Sequence, residues 1–296
     1  MRLKAKVTRF QNQVGDLLSI QILSQSFAYL TLEQDQQIFD NLFEMFNYSI
    51  TSLHLPKLGN EEVEYEDASA YPENKYDENQ TLRVAVADGA TESSFSAEWA
   101  DMLSKCYVGK QFNDIQELRL QVDLLSKDWQ SNIDVRQLTW FAEEKARMGA
   151  FSTLLGLEIY SNSTEIAGWH SIAVGDSCLF QIRNNSLEHA FPIQHSSDFN
   201  NSPILISSKP EKNRQHWDKA LIRCGNWQAG DFFFLTTDAL AAWFIHEYEL
   251  SNLPWEILIK FIDDNEYDKS FKLWVNELRA SSSMKNDDVT CLIIKL

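Results

Sequence analysis

The chain has 296 residues and is poor in glycine and proline. Gly (10) and Pro (6) together contribute 16 residues, roughly half the usual share. That excludes collagen-like and linker-rich architectures. Cysteine is scarce too: Cys106, Cys178, Cys224 and Cys291 lie too far apart for a C-x-x-C pair or zinc-ligand spacing. Cys178 and Cys291 sit inside apolar runs, so buried reduced thiols in a reducing compartment, the cytoplasm, are expected. No apolar run approaches the ~18 residues of a membrane span. The basic start, Met1 to Lys6, lacks the apolar stretch of a signal peptide. Positive charge is in deficit: 26 Lys and Arg face 43 Asp and Glu, a net charge of −17. Such a surface repels phosphate backbones and anionic lipid, which argues against nucleic acid and membrane as partners. Several motifs are missing as well. There is no phosphate-binding P-loop and no G-x-G-x-x-G. Gly175-Asp176-Ser177-Cys178-Leu179 begins like a nucleophile elbow but lacks the closing glycine. His246-Glu247 lacks the second histidine of a zincin helix.

What is present is an ordinary globular composition, 44% hydrophobic and 23% charged. The spacing predicts a short amphipathic helix over 38–46 and a strand over 50–58 ending at Gly59. An acidic stretch follows at 61–67, then a strand over 82–87 that stops at Asp88-Gly89. Trp99, Leu103 and Cys106 mark one helix face; Ile115, Leu118, Val122, Leu125 and Trp129 mark a second. A third helix covers 140–148. The period then changes to two, and 153–160, 166–174 and 178–182 read as consecutive strands. Turns fall at Asn162-Ser163 and Gly175-Asp176. Residues 196–214 read as loop, 231–236 as strand and 239–248 as helix. Two further helices carry Trp255, Leu258 and Ile262, then Phe271, Trp274, Val275 and Leu278. A strand over 289–294 ends the chain. Strands that follow one another without helices pair mostly antiparallel. The order therefore predicts an α+β domain, helices packed on antiparallel sheets.

The positions of the carboxylates carry the functional signal. Asp88 and Asp238 each end a predicted strand, Asp287 and Asp288 precede the last one, and Glu66-Asp67 precedes the first clear one. Each has a plain alternative. Asp-Gly is a common turn, and Asp238 suits a helix N-cap. Taken together, strand ends that meet at one rim would bring these carboxylates close. Mutual repulsion would then favour hard cations such as Mg²⁺ or Mn²⁺, which take oxygen ligands. Two such ions can generate a nucleophile and clamp a phosphoryl group.

An ordered set of segments points further: Tyr65-Glu66-Asp67-Ala68, Val86-Ala87-Asp88-Gly89-Ala90-Thr91-Glu92, GAFSTLL over 149–155, Ala173-Val174-Gly175-Asp176-Ser177, Phe234-Leu235-Thr236-Thr237-Asp238, and Asp287-Asp288-Val289-Thr290. In order and spacing this set resembles the metal-dependent, type 2C-like protein phosphatases, most closely a bacterial branch. The match covers about residues 50–296 and leaves 1–48 as an N-terminal extension packed on or beside a phosphatase domain at 49–296. The resemblance implies a four-layer α-β-β-α sandwich, two mostly antiparallel sheets flanked by helices. It implies Ser/Thr phosphoprotein phosphatase activity, with a hydroxide bridging two Mn²⁺ or Mg²⁺ ions. By the same resemblance Asp88 bridges both ions, the Gly89 carbonyl and Glu66 serve the second, and Asp238 and Asp287 hold the first. Asp67 orients bound water. Gly175-Asp176-Ser177 is expected as a structural turn. A phosphorylated protein is the implied partner, with a cognate Ser/Thr kinase.

The sequence also departs from the family pattern. The arginine that many members place before the acidic pair is absent from Glu62-Val63-Glu64-Tyr65, leaving Lys57 or Lys145 as candidate phosphate ligands. Ala90 stands where eukaryotic members carry histidine, so protonation of the leaving group falls to water. Ala146, Arg147, Met148 and Ala242 occupy positions expected to supply third-metal carboxylates. These losses keep a second reading in play: a weak or inactive member serving as a phosphoprotein-binding or regulatory module.

Overall fold

A computed structural model describes residues 48–72, 81–91, 95–134, 136–161, 167–200 and 202–296. They all belong to one compact unit, Tyr48–Leu296. The helix expected over 38–46 and the turn at 162–163 lie outside the described residues.

Two five-stranded sheets form the centre. The first runs in the order β1 (Ser49–Leu55), β12 (Val289–Lys295), β11 (Phe232–Thr236), β7 (Cys178–Arg183), β8 (Ser186–Phe191). The second runs β10 (Leu221–Asn226), β6 (Gly168–Val174), β5 (Leu154–Tyr160), β3 (Thr81–Ala87), β2 (Ala68–Ala70). A small pair, β4 (Phe151–Ser152) with β9 (Ile206–Ser207), stands apart. Every pairing is antiparallel.

Period two along the strands explains the layering. On β12, Val289, Cys291 and Ile293 join a cluster with the C-terminal helices. Thr290, Leu292 and Ile294, also buried, take the alternate face. Trp169 of β6 meets Phe233 of β11 edge-on at 6.0 Å. Its indole N–H donates to Gln181 Oε1 of β7 at 3.0 Å, so the buried polar atom of the inter-sheet layer is satisfied.

Helices cover the outer faces. α1 (Ser96–Gly109) buries Trp99, Leu103 and Tyr107 at four-residue spacing. α2 (Ile115–Asp134) buries Leu118, Val122 and Trp129. Both stripes join one cluster with Ala85, Leu154 and Ile172 of the second sheet. α3 (Trp140–Met148) begins at Thr139, whose hydroxyl accepts the Ala142 N–H. On the first sheet lie α4 (Asp238–Glu249), α5 (Pro254–Ile259) and α6 (Tyr267–Ala280). Phe180 of β7 and Phe244 of α4 stack at 4.0 Å. The α+β sandwich expected from the sequence is therefore present. Among the described residues no helix is long and apolar enough to cross a membrane.

Several local expectations are corrected. The first strand stops at Leu55, short of Gly59, which sits at φ +103° in a separate turn. The three strands expected over 153–160, 166–174 and 178–182 are consecutive in the chain but do not all share one sheet. β5 pairs with β6, but β7 crosses to the other sheet and pairs with β11 and β8. The turn at Gly175, with φ +110°, carries the chain across. β8 and β10 were not anticipated. Their outer positions expose Ser186 and Glu188 on β8 and Leu221 to Cys224 on β10, so neither shows the buried apolar run of an inner strand. Among the cysteines, Cys178 and Cys291 are buried as expected, whereas Cys106 is half-buried and Cys224 exposed.

Candidate metal centre

Asp88 follows directly on β3. Its N–H donates to Thr153 Oγ1 at 2.9 Å, and the Thr153 N–H returns to Asp88 O at 2.9 Å. Thr153 Oγ1 also pairs with Ser177 Oγ at 2.9 Å. Gly175 packs onto the same threonine: a Cβ there would stand 2.6 Å from Thr153 Cγ2. The segments 149–155 and 175–177 thus form a brace behind Asp88. Gly175-Asp176-Ser177 is the expected turn, and its serine hydroxyl supports the Asp88 backbone through Thr153.

Gly89 is held between two segments. A side chain at this position would meet Glu66 O at 2.5 Å and Ser96 C at 2.9 Å, so glycine is required by close approach. Glu66 itself accepts from Ser96 Oγ at 2.6 Å and lies 3.6 Å from Lys57 Nζ. Lys57 Nζ also reaches Thr91 Oγ1 at 3.3 Å. Lys57 therefore arrives beside the acidic pair. Lys145 stands in the last turn of α3. Among the described residues, the ion pairs of Glu66, Asp238 and Asp287 are with Lys57 and Lys285, not with Lys145.

Asp67 is buried, and its Oδ2 accepts from Thr237 Oγ1 at 2.8 Å and from Thr290 Oγ1 at 2.7 Å. The Thr237 N–H also donates to Thr290 O and the Thr290 N–H to Thr237 Oγ1, and Tyr65 bonds the Thr290 hydroxyl. The ends of β11 and β12 thus grip Asp67 from the opposite sheet. Asp238 is the first residue of α4, and Thr237 takes the N-cap position. The N-cap role expected for Asp238 is corrected accordingly. Its carboxylate accepts from the Ala239 N–H at 2.6 Å and faces Lys285 Nζ at 3.3 Å. Asp287 pairs with the same Nζ at 2.7 Å.

Asp288 has a different task from its neighbour. One oxygen accepts the Lys57 N–H at 2.7 Å and the other the Glu66 N–H at 2.8 Å. Asn286 holds Leu58 through its N–H and carbonyl. Arg279, buried on α6, donates to Pro56 O at 3.0 Å and to Asp287 O at 2.5 Å. This clamp fixes 56–58 and Glu66 against the 286–288 loop. Sequence reading missed it, although Phe271, Val275 and Arg279 share one four-residue spacing that would have placed Arg279 on the buried stripe.

The electrostatics are those of carboxylates crowded together. Burial, then Asp67, Asp238, Asp176 and Asp287, push the Asp88 carboxyl well above the usual range. Burial raises Asp67 as well, partly offset by the Thr290 hydroxyl. Burial likewise raises Asp238, against which Lys285 works. Asp176 is pushed up to about 7 by burial and then by Asp238, and its Oδ1 is buried without a hydrogen-bond partner. Asp176 thus adds a further carboxylate to the rim, beyond its place in a turn. No donor among the described residues reaches the Asp88 carboxylate. Among those residues, no three His, Cys, Asp or Glu side chains are gathered closely enough to hold one ion. The donor set is nevertheless all oxygen, strongly anionic and underneutralised. That is the chemistry a hard divalent cation satisfies while retaining waters.

A family model described as protein phosphatase 2C matches residues 64–285. In fold the chain is similar to the Mycobacterium tuberculosis serine/threonine phosphatase PstP/Ppp. The two share 15% identity at a TM-score of 0.51, over 84% of this chain and 98% of that one. It is also similar to a bacterial serine phosphatase, at 12% identity and a TM-score of 0.52, over 84% of this chain and 97% of that one. No curated protein matches the sequence.

Proposed function

The chain belongs to the protein phosphatase 2C family, and on that footing we propose that its acidic rim hydrolyses phosphoserine and phosphothreonine monoesters in proteins. The cofactors are two Mn²⁺ or Mg²⁺ ions. The supporting observation is that burial and then Asp67, Asp238, Asp176 and Asp287, from four other segments, all raise the Asp88 carboxyl. Asp88 and the Gly89 carbonyl, Glu66, Asp238 and Asp287 would hold the ions. When bound, such ions supply Lewis-acid charge and lower the pKa of a water to near neutrality.

The chain's own residues set the rest. Asp67, fixed by Thr237 and Thr290, keeps its Oδ1 available to orient a water. Lys57, beside Glu66 and Thr91, places an ammonium at the rim, where it would grip a phosphate oxygen in place of the missing arginine. Water attacks phosphorus in line and the P–O bond to the Ser/Thr oxygen breaks. The departing alcohol takes its proton from solvent, since Ala90 has none to give. The substrates are products of a protein kinase, so a Ser/Thr kinase is the reaction that supplies them. The cytoplasm is the proposed location, in keeping with buried, unpaired Cys178 and Cys291.

The test is hydrolysis of p-nitrophenyl phosphate and a phosphothreonine peptide with Mn²⁺, against EDTA and against Asp88→Asn. Turnover that needs Mn²⁺ and falls at least ~100-fold in the variant is expected. Full turnover by Asp88→Asn would overturn the site assignment. Mn²⁺ binding without any turnover would favour a regulatory module.

A further inference from the structure

One cation at the rim is placed unlike the others. Lys285 Nζ lies 2.7 Å from Asp287 Oδ2 and 3.3 Å from Asp238 Oδ2. These are the two carboxylates assigned above to one ion. They come from distant segments, one opening α4 and one preceding β12, and Lys285 bridges them. We propose that Lys285 is a built-in rival of the divalent cation at the Asp238–Asp287 pair and sets how tightly this chain holds that ion. The inference rests on the two-ion reading above.

Three features carry it. First, the claim is for the same atoms. An ammonium is a compact point charge whose donors address the carboxylate lone pairs that a hard cation needs. Second, Lys285 can yield. Its side chain is 59% exposed, and its flexible four-carbon stem can carry the ammonium into water without disturbing the core. Lys57, at 20% exposure, and Arg279, buried and committed to two carbonyls, have no such freedom. Third, Lys285 cannot go far. The Asp287 N–H donates to Lys285 O at 3.1 Å, so the ammonium is tethered two residues from one of its partners. Its effective concentration there is high whatever the solution holds.

Competition of this kind weakens the apparent affinity by the fraction of time the site is free. A tethered ammonium present about nine-tenths of the time costs roughly tenfold. The arrangement would make one of the two ions the weaker one and tie occupancy to the free Mn²⁺ or Mg²⁺ level.

The experiment is calorimetric titration of Mn²⁺ into full-length, chelator-stripped protein: wild type, Lys285→Gln, Lys285→Ala and Lys285→Arg. Lys285→Gln and Lys285→Ala should each bind one Mn²⁺ about tenfold more tightly. Lys285→Arg keeps the charge and should stay within a few-fold of wild type. In EDTA the two uncharged variants should melt lower than wild type, because Asp238 and Asp287 lose their counter-charge. Unchanged or weaker Mn²⁺ binding by both uncharged variants, with wild-type binding intact, would overturn the proposal alone. Absence of Mn²⁺ binding by wild type would instead remove the two-ion reading, and this inference with it.

Discussion

Asp88 and Thr153 hold one another twice. The Asp88 N–H donates to the Thr153 hydroxyl and the Thr153 N–H donates to the Asp88 carbonyl, both at 2.9 Å. The same hydroxyl pairs with Ser177. Thr153→Val keeps the shape but leaves the Asp88 N–H and the Ser177 hydroxyl without this partner. An unmet buried polar group costs about 1–3 kcal/mol. We therefore expect a lower denaturation midpoint and a drop in kcat for Thr153→Val. Thr153→Ser should recover both. Equal behaviour of the valine and serine variants would contradict the bracing role.

Arg279 tests the clamp behind the 286–288 loop. Arg279→Met removes the donors to Pro56 O and Asp287 O but keeps a long side chain on the buried stripe of α6. A loss of about 2–4 kcal/mol is expected, since hydrogen bonds from a charged group are worth roughly 1.5–3 kcal/mol each and are not additive. Mn²⁺ affinity should weaken as Asp287 loses its fixed position. Urea denaturation and calorimetry read the two effects separately, and an unchanged Mn²⁺ affinity would confine Arg279 to stability.

Lys57 tests phosphate recognition. For Lys57→Ala the expected result is a KM about tenfold higher, with kcat changed less. That is the signature of losing an interaction made in both ground and transition states. Lys57→Arg should remain near wild type. A kcat loss with unchanged KM would place Lys57 in the support of Glu66 instead.

The crowded carboxylates predict a pH dependence of stability. Asp176 is held at about 7 by burial and Asp238, above its unfolded value of ~3.9. A raised carboxyl contributes stability that is complete below the unfolded value and is lost as pH rises through the folded one. Asp67, Asp88, Asp238 and Asp288 are shifted in the same direction. His170 and His189, lowered chiefly by burial, pull the other way but are fewer. Protein in EDTA should therefore melt at a lower temperature at pH 8 than at pH 6. Saturating Mn²⁺, by neutralising the cluster, should shrink the difference. A Tm in EDTA that is flat or rises over this interval would count against the cluster's electrostatics.

Much of the fold was legible because helix and strand periods are local. The stripe Trp99, Leu103 and the run at 232–236 name their elements from spacing alone. Other elements were not legible for equally physical reasons. β10 carries solvated residues on an outer strand, so its pattern does not differ from a loop's. β7 follows β6 in sequence yet belongs to the other sheet. That choice is made by Gly175, whose φ of +110° and contact with Thr153 turn the chain across.

The sequence by itself determined which carboxylates were available and that each stands at the end of a strand. Strand ends are where the side-chain pattern stops, and an aspartate there is visible in one dimension. Only the tertiary structure decided what each carboxylate faces. Asp287 turns to Lys285 and Asp238, while Asp288, next to it, binds the backbones of Lys57 and Glu66. Asp176 presents an unpaired oxygen at the rim, and Arg279 reaches two carbonyls more than two hundred residues apart in sequence. These relationships depend on which strands become neighbours. Neighbours are chosen by burying both sheet faces at once, a condition on the whole domain that no local window of residues contains.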